Sequence, residues 1–354
     1  MRIATYNVEW MNALFDDDGR PLTDDQWSAR HKITRAQQLE ALGVVFTAFD
    51  ADAVLIVEAP DQNRRRDAVV ALESFARAFD LRQRRAAIGF ANQTEQEIAL
   101  LYDPDRLSVR HDPLGDITGG KGNGVAPRFD STFRIDLDID ATLDQVTFSK
   151  PPLELAVETP DGMRFRMIGV HVKSKAPHGA RNPADIMRIS IANRRKQLAQ
   201  CIWLRARIAE HLAAGDPLIV LGDFNDGPGL DEYERLFGRS GLEIVAGQGE
   251  PPEGRLFDPH ARLVPEVQSS ARPPATARFY NEAEKNFKSA LIDFIMISPD
   301  LMARRPAWRI WHPFDDPKIY VVPELRDALL AASDHFPVTL DIELEGSARP
   351  AAGV

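Results

Sequence analysis

The sequence contains a single cysteine, Cys201, among its 354 residues. One thiol excludes a disulfide within the chain and excludes zinc sites built on several cysteines. No apolar run approaches the length needed to cross a bilayer. The first residues lead straight into an apolar strand pattern, without the cleavage site of a signal peptide. We therefore expect a cytoplasmic protein with no transmembrane segment and no export signal.

The chain also lacks an excess of basic residues. Its 43 Lys and Arg face 53 Asp and Glu, which gives a formal net charge of −10. Proteins that coat nucleic acid nonspecifically are usually basic, because neutralised phosphates supply most of that affinity. The charge balance argues against such coating and leaves room for a local basic groove. Charge runs such as Arg64-Arg65-Arg66 usually lie on solvated faces, so none of them is assigned to a site.

The apolar fraction, 44%, is enough to bury a large core. Short apolar runs at residues 53–57 and 218–221 predict strands buried on both faces. Helical spacing occurs within residues 39–49 and 191–209. Strands and helices mix without strict alternation, which favours an α/β fold with mixed sheets. We predict one domain over residues 1–345 and a flexible tail, rich in small residues, at 346–354.

Two stretches rich in Gly and Pro, residues 112–127 and 247–274, are predicted to be surface loops. Loops of this length often contact substrate, and they can equally be idle insertions. Both alternatives stay open for these two.

Polar side chains follow the predicted buried strands at six places. The first strand carries two of them on one face, and the others stand at strand ends or just before the last strand: Asn7 and Glu9; Glu58; His171, Lys173 and Lys175; Asp223 and Asn225; Asp293; Asp334 and His335. An ionisable group in such a place is costly unless it is paired, hydrated or bound to a cation. Each one alone has a harmless explanation as a helix cap, a turn former or a core histidine. Six together favour a site at one edge of the sheets.

The residue types at these strand ends suit one chemistry. Carboxylate and amide oxygens without cysteine favour a hard cation, Mg²⁺ or Mn²⁺. Lys173 and Lys175 offer positive charge to phosphate oxygens. His335 stands beside Asp334, with Asp293 available to orient its ring, so the three form an acid–base unit able to work near neutral pH. The pattern predicts a metal-dependent phosphoesterase.

Six segments, in sequence order, resemble the motifs of the endonuclease/exonuclease/phosphatase superfamily, which has the deoxyribonuclease-I-like fold. They are Tyr6-Asn7-Val8-Glu9-Trp10, the strand ending at Glu58, Gly169-Val170-His171-Val172-Lys173-Ser174-Lys175, Gly222-Asp223-Phe224-Asn225, Ile292-Asp293-Phe294-Ile295 and Ser333-Asp334-His335-Phe336-Pro337. The resemblance runs from the first strand to the last. It implies a four-layer α/β/β/α sandwich, in which two mixed β-sheets pack face to face with helices outside.

The resemblance also implies metal ligands. Glu58 looks like the principal ligand of Mg²⁺ or Mn²⁺, with Asn7 and Glu9 beside it. Asp334 would be a further ligand or would lie just behind the ligands. Whether one metal ion or two take part is left open.

Catalytic and phosphate-binding roles follow from the same resemblance. Asp223 would orient or deprotonate the attacking water, and His335, paired with Asp293, would contact the phosphate or the nucleophile. The identity of the general base is left open. The remaining positions would donate to phosphoryl oxygens: Asn7, His171, Lys173, Lys175 and Asn225.

His171 narrows the choice of branch. Abasic-site endonucleases tend to carry tyrosine there, whereas deoxyribonuclease-like, sphingomyelinase-like and phosphatase branches carry histidine. The run from His171 to Lys175, and the helix after it with Arg188, Arg194 and Arg195, are similar to bacterial nucleases of the superfamily. Phe148-Ser149-Lys150-Pro151-Pro152 resembles a strand-entry motif common there, usually with Arg in place of Lys150. The secreted members that this helix resembles normally have an export signal, which this chain lacks.

We therefore predict a phosphodiesterase or nuclease that acts on nucleic acid, with no obligate protein partner. Three alternatives stay open: hydrolysis of a lipid, an inositol phosphate or another small phosphoester; a binding protein that keeps the fold without catalysis; and a zinc hydrolase using His171 and His178. No His-Glu-x-x-His pattern supports the zinc site. Apolar residues near the first strand are interpreted either as a lip for a lipid or as ordinary core: Trp10, Met11, Phe15 and Trp27.

Overall fold

The computed structural model describes residues 1–92, 94–119, 126–135, 144–177, 179–230, 235, 238–261, 273–281 and 285–344. The predicted tail, His178 and parts of both predicted loops lie outside the described residues. The prediction of one domain over residues 1–345 stays a prediction. Among the described helices, none has the length and apolar character required to span a membrane.

The first sheet is mixed and has six strands. In spatial order these are β14 (Ala307–Ile310), β15 (Val338–Asp341), β1 (Arg2–Asn7), β2 (Ala53–Ala59), β4 (Glu97–Tyr102) and β3 (Arg85–Ile88). Only β1 and β2 run parallel, and the other neighbours are antiparallel. The first and last strands of the fold therefore pair at the centre of this sheet.

The second sheet is also mixed and has five strands. In spatial order these are β13 (Asp293–Ile297), β10 (Leu218–Asp223), β9 (Arg164–His171), β8 (Leu153–Glu158) and β5 (Ser108–His111). Only β9 and β10 run parallel. Two further antiparallel pairs stand apart: β6 (Phe133–Ile135) with β7 (Asp144–Val146), and β11 (Ala277–Asn281) with β12 (Asn286–Ala290).

Helices cover the outer face of each sheet. The helices are α1 (Arg35–Phe49), α2 (Ala68–Ala78), α3 (Pro183–Ala214), α4 (Gly241–Ala246), α5 (Pro317–Tyr320) and α6 (Pro323–Ala332), and the short 3₁₀ turns are Met11–Leu14, Pro252–Gly254 and Pro299–Arg304. Helices α1, α2 and α6 pack on the first sheet, and α3 and α4 pack on the second. Thr34 caps α1 with a capping box, and Asn182 caps α3 directly before Pro183.

Three buried clusters correspond to the three interfaces of a four-layer sandwich. Phe46 and Phe75 belong to the cluster between the first sheet and its helices. Leu55 and Ile219 belong to the cluster between the two sheets, and Trp203 belongs to the cluster under α3. The predicted α/β/β/α architecture of two mixed sheets with helices outside is confirmed.

Candidate active site

The polar residues of the second sheet lie on the face of that sheet that points toward the first sheet. Leu221 of β10 packs between the sheets, so the alternation of a strand places Asp223 on that face as well. The register aligns Asp223 with Asp293 of β13 on one side and with His171 of β9 on the other. All three are buried. The apolar space between the sheets therefore ends in a polar row.

The first sheet contributes Asn7, the last residue of β1. Its Nδ2 donates to Asp223 Oδ2 at 3.2 Å, and its Oδ1 accepts from the amide of Glu9 at 3.1 Å. The side chain thus bridges the two sheets and fixes one oxygen of Asp223.

Glu58 lines the same cleft because β2 contains a bulge. Regular alternation would place this even-numbered residue with Ile56, whose side chain packs against the helices. The register with β4 shifts between Val57 and Ala59 instead, and Glu58 has a φ of 62°. Bulges re-aim side chains in this way. The carboxylate is held by the amide of Trp10, which donates to Glu58 Oε2 at 3.0 Å.

His335 enters the site from the segment before β15. Its Nδ1 lies 2.8 Å from Asp293 Oδ2, and its Nε2 lies 4.0 Å from Asp223 Oδ2. The Ser333 hydroxyl fixes the segment by accepting from the His335 amide at 3.0 Å and donating to the Asn7 carbonyl at 2.7 Å. Burial by itself lowers the pKa of His335, but the carboxylates of Asp293 and Asp223 outweigh it and raise the pKa above its usual value. The imidazole is therefore held in its protonated form.

Asp223 is the most constrained carboxylate of the site. Burial and then repulsion from Asp293 raise its pKa, and the positive charge of His335 opposes them. Hydrogen bonds from the Asn225 amide and from Asn7 also favour its charged form. A carboxylate with a raised pKa accepts a proton more readily, as a general base requires.

The hydrogen bonds of Asn225 hold Asp223 and the neighbouring backbone in place. Its amide donates to Asp223 Oδ1 at 2.8 Å, and its Nδ2 donates to the Val172 carbonyl at 3.0 Å. The turn depends on Gly222, since a Cβ there would lie 2.1 Å from the Val170 carbonyl oxygen at a φ of 139°. Asn225 itself adopts a φ of 49°, which asparagine tolerates better than most residues.

Lys150 is a site residue that sequence reasoning did not assign. Its Nζ lies 3.1 Å from Nδ1 and 3.3 Å from Nε2 of His171. Burial lowers the pKa of Lys150 to about 8, and burial together with the Lys150 charge lowers the pKa of His171 well below its usual value. The motif from Phe148 to Pro152 was the signal in the sequence that could have pointed to Lys150. The motif alone does not show that the pairing of β8 with β9 brings the Lys150 ammonium group to His171.

Glu9 lines the cleft, and its role as a metal ligand stays a prediction. Its carboxylate forms an ion pair with Arg30 and accepts from the amide of Asp334 at 2.9 Å. Glu9 therefore positions the segment that carries Asp334. Asp334 lines the cleft, with Oδ1 3.9 Å from Nε2 of His335.

The two predicted phosphate-binding lysines are separated. Lys173 lines the cleft, where burial lowers its pKa. Lys175 points elsewhere, because its ammonium group pairs with the buried carboxylate of Asp226. The structure thus does not bring Lys175 to the site, and its charge compensates that buried carboxylate.

The side chains gather around one cleft of about 1280 Å³. Every predicted site residue lines it except Lys175 and the buried Asp293, which acts behind His335. Four lysines and three aromatic residues complete the wall: Lys150, Lys173, Lys196 and Lys288, with Trp10, Phe279 and Tyr280. Trp10 of the predicted apolar lip therefore faces the cleft, whereas Met11 and Phe15 are core.

A family model described as the Endonuclease/Exonuclease/phosphatase family matches residues 4–335. The chain belongs to this family. The match spans the first strand, the polar row between the sheets and His335, so the predicted resemblance is confirmed. Membership of the endonuclease/exonuclease/phosphatase family implies phosphoester hydrolase activity. A search of curated proteins found no match.

Several solved structures are similar to this chain at low identity. A 3′ phosphatase, NExo, from Neisseria, bound to product DNA hairpin, is 17% identical with a TM-score of 0.50, over 97% of this chain and 99% of that chain. Truncated TDP2 from Caenorhabditis elegans is 14% identical with a TM-score of 0.47, over 96% of each chain. An AP endonuclease from Archaeoglobus fulgidus is 12% identical with a TM-score of 0.47, over 97% and 99%.

The charges at the site of this endonuclease/exonuclease/phosphatase family member fit a divalent cation, on which the family generally depends. Asp293 Oδ1 is buried and has no hydrogen-bond partner among the described residues. Burial and repulsion from Asp293 raise the pKa of Asp223, and a bound cation would oppose both effects. Asp223, Asp293 and His335 offer ligand atoms within 4.8 Å of one another. Nδ1 of His335 is already hydrogen-bonded to Asp293, and a hard cation prefers oxygen ligands, so the oxygen donors on the Glu58 side suit it better.

Proposed function

We propose that this chain is a divalent-metal-dependent phosphodiesterase that acts on nucleic acid. The proposal rests on one observation above all: an acidic chain, with a net charge of −10, places four lysines in the cleft that contains the Asp293–His335 pair. Lysines lining a catalytic cleft attract a polyanion through its phosphates. Nucleic acid supplies successive phosphates together with bases for the aromatic residues of the same wall.

Asp223 is proposed to orient and deprotonate the attacking water. Asn7 and Asn225 fix its two oxygens, and burial raises its pKa. His335 lies across from it, with Nε2 4.0 Å from Asp223 Oδ2 and Nδ1 anchored on Asp293. This arrangement lets the imidazolium donate to a phosphoryl oxygen while the carboxylate acts on water.

The opposite wall is proposed to stabilise the charge of the phosphoryl group. Lys150 and Lys173 line the cleft as cations, and His171 lies between Lys150 and Asp223, with Nε2 3.7 Å from Asp223 Oδ2. Positioning and electrostatics supply most of the acceleration in phosphoryl transfer.

Glu58 is proposed as the principal holder of Mg²⁺ or Mn²⁺, with Asn7 and Asp334 contributing oxygens. When bound, the cation would neutralise charge on a nonbridging oxygen and on the leaving oxygen. The orientation of Glu58 is set by the bulge in β2 and by the Trp10 amide.

A substrate panel tests this proposal. Plasmid DNA, single-stranded DNA, RNA, a chromogenic phosphodiester, a phosphomonoester and sphingomyelin are each assayed with Mg²⁺, Mn²⁺ or EDTA, and the His335→Ala protein is the blank. We expect cleavage of at least one nucleic acid with metal and none with EDTA. Full activity in EDTA, or turnover of the monoester or sphingomyelin without cleavage of any nucleic acid, would overturn the proposal.

The net charge also favours a second candidate, a small phosphoester. An acidic protein repels bulk duplex DNA at long range, and a small ester needs only the lysines around the catalytic pair. In the same panel this function would appear as turnover of the monoester or of the chromogenic diester, with intact DNA and RNA.

A further inference from the structure

A second groove adjoins the active-site cleft. Its volume is about 660 Å³, and it shares the wall residues Glu9, Phe279, Tyr280 and Asp334 with the cleft. Three of its own lining residues are cationic, Arg30, Lys32 and Arg278, and His31 lies beside them. We call this the side groove. A substrate longer than one phosphoester would therefore pass from the cleft directly into the side groove, where Lys32 and Arg278 lie beside the Arg30–Glu9 ion pair and Asp334.

Exposed aromatic rings form one wall of the side groove. Tyr280 of β11 is 38% exposed and Phe287 of β12 is 51% exposed. The ring of His31 stacks on Tyr280 with centroids 5.8 Å apart at 18°, and the Arg278 guanidinium lies 3.7 Å over the Phe287 ring. Single exposed apolar residues are common on protein surfaces. A cluster of flat groups with cations beside it is the arrangement that holds unpaired bases and their phosphates.

The β11–β12 hairpin is joined to the catalytic segment by backbone hydrogen bonds. The Arg278 amide donates to the Asp334 carbonyl at 2.7 Å, and the Phe336 amide donates to the Thr276 carbonyl at 2.6 Å. The Phe279 ring also contacts the His335 ring edge-on, with centroids 5.5 Å apart. The aromatic wall is therefore placed at a fixed distance from His335.

From these contacts we propose that the side groove is a subsite for an unpaired nucleotide next to the scissile phosphate. Its base stacks on the wall formed by Tyr280, Phe287 and His31, and its phosphate contacts Arg278 and Lys32. Bases in a duplex are stacked on one another and cannot offer their faces, so the preferred substrate is single-stranded. This inference rests on the proposed function and specifies its substrate as a strand with unpaired bases.

The test compares two substrates in Phe287→Ala. One is a single-stranded oligothymidylate of eight nucleotides, and the other is bis(p-nitrophenyl) phosphate, which has neither a base nor a second phosphate for the side groove. Loss of one stacking face is expected to lower kcat/KM for the oligonucleotide relative to the small diester by about tenfold. Lys32→Gln removes a cation at an exposed position, and we expect it to lower the same ratio and to flatten the salt dependence of oligonucleotide cleavage.

Tyr320→Ala is the matched control. Tyr320 is an exposed aromatic residue of α5, 54% accessible, and it lines neither the cleft nor the side groove. Its replacement is expected to leave the ratio of the two rates as in the parent protein. Equal melting temperatures of the variants show that the fold is intact.

The outcomes separate the two proposals. If the parent protein cleaves oligothymidylate and both Phe287→Ala and Lys32→Gln keep the parent ratio, the side-groove subsite is wrong and the nuclease proposal stands. Faster cleavage of a blunt duplex than of the single strand by the parent protein would also overturn the subsite. Failure of the parent protein to cleave any nucleic acid overturns the proposed function itself.

Discussion

Two histidines of this chain lie at almost the same distances from two carboxylates each, and only one of the two lines the active-site cleft. His335 Nδ1 lies 2.8 Å from Asp293 and its Nε2 lies 4.0 Å from Asp223. His211, near the end of α3, has Nδ1 2.8 Å from Asp216 and Nε2 3.9 Å from Glu154. The pair distance alone therefore does not identify a catalytic histidine.

The surroundings of the two histidines differ in charge and access. Beside His211, the fully buried Arg207 lies 3.4 Å from Glu154 and donates to the Pro127 carbonyl at 2.9 Å. That carboxylate thus has a cation of its own inside the core. At His335, Asp223 and Asp293 repel one another, and no lysine or arginine forms an ion pair with either carboxylate among the described residues. A compensated buried cluster stabilises the fold, whereas an uncompensated cluster that opens to a cleft has the capacity to bind and react.

The same contrast separates two other pairs of residues. Glu58 and Glu9 both line the cleft, but Glu9 is paired with Arg30, whereas Glu58 accepts from the Trp10 amide. Lys173 faces the cleft, and Lys175 is neutralised by Asp226. Each pair supplies a matched experiment, in which one member should affect catalysis and the other should affect stability.

The largest difference in kcat is expected between variants of the two histidines. His335→Ala should lower kcat by about 10²- to 10⁴-fold, since the proton donor at the phosphate is lost. His211→Ala should leave kcat of the folded protein within about twofold and lower the free energy of unfolding by about 1–3 kcal/mol, because Asp216 and Glu154 lose a partner. Steady-state kinetics and urea titration of both variants measure this. A catalytic defect in His211→Ala as large as that of His335→Ala would break the comparison.

We expect replacement of Glu58 and replacement of Glu9 to change the metal dependence of activity to different extents. Glu58→Gln is expected to lower activity by about 10²-fold at low Mg²⁺ and to raise the metal concentration needed for half-maximal rate, because it removes a charged ligand oxygen. Glu9→Gln should shift that concentration much less and should lower thermal stability, since it leaves Arg30 uncompensated. Mg²⁺ and Mn²⁺ titrations after EDTA treatment are the measurement. The reverse ranking would show that Glu9 is the more important of the two metal ligands.

A smaller effect is expected from the two lysines. Lys173→Met should raise KM for the oligonucleotide by about tenfold through loss of a charge-assisted contact to phosphate. Lys175→Met should leave KM unchanged and lower the melting temperature, because the buried Asp226 then lacks its cation. Equal KM values for Lys173→Met and the parent protein would remove Lys173 from the substrate site.

The smallest expected effect is on how the free energy of unfolding, measured in EDTA, depends on pH. The pKa of Asp223 is raised in the folded protein, so its contribution to stability is most favourable below the unfolded pKa and declines as the pH rises through the folded pKa. Asp223→Asn should therefore be more stable than the parent protein at pH 8, by about 1 kcal/mol, with the difference vanishing near pH 4. Urea titrations at both pH values measure it. A less stable Asp223→Asn at pH 8 would show that the Asp223 charge is compensated in the fold.

The sequence predicted the elements that local rules determine. The polar residues that follow the apolar runs were enough to predict that Asn7, His171, Asp223 and Asp293 meet at one edge of the sheets, because strand ends collect there. The order of motifs then predicted the layers. The Gly222 position also has a local reason, since only glycine avoids the Val170 carbonyl.

What the sequence did not predict depends on contacts between distant segments. Glu9 and Lys175 have the right type and spacing, and only the fold shows that Arg30 and Asp226 neutralise them. Lys150 reaches His171 through the pairing of β8 with β9. The side groove depends in the same way on the β11–β12 hairpin meeting the segment before β15. In each case a partner outside the motif decides which groups remain available for chemistry.

The pairing of β1 with β15 has a consequence for the timing of activity. Asn7 is made among the first residues, yet its strand and its hydrogen-bonding partners at residues 333–341 are more than 300 residues further along the chain. At a synthesis rate of about 5–20 residues per second, roughly 20–60 s pass between the synthesis of Asn7 and that of residues 333–341. The cleft that contains Asn7 is therefore complete only after residues 333–341 have been synthesised and have paired with β1.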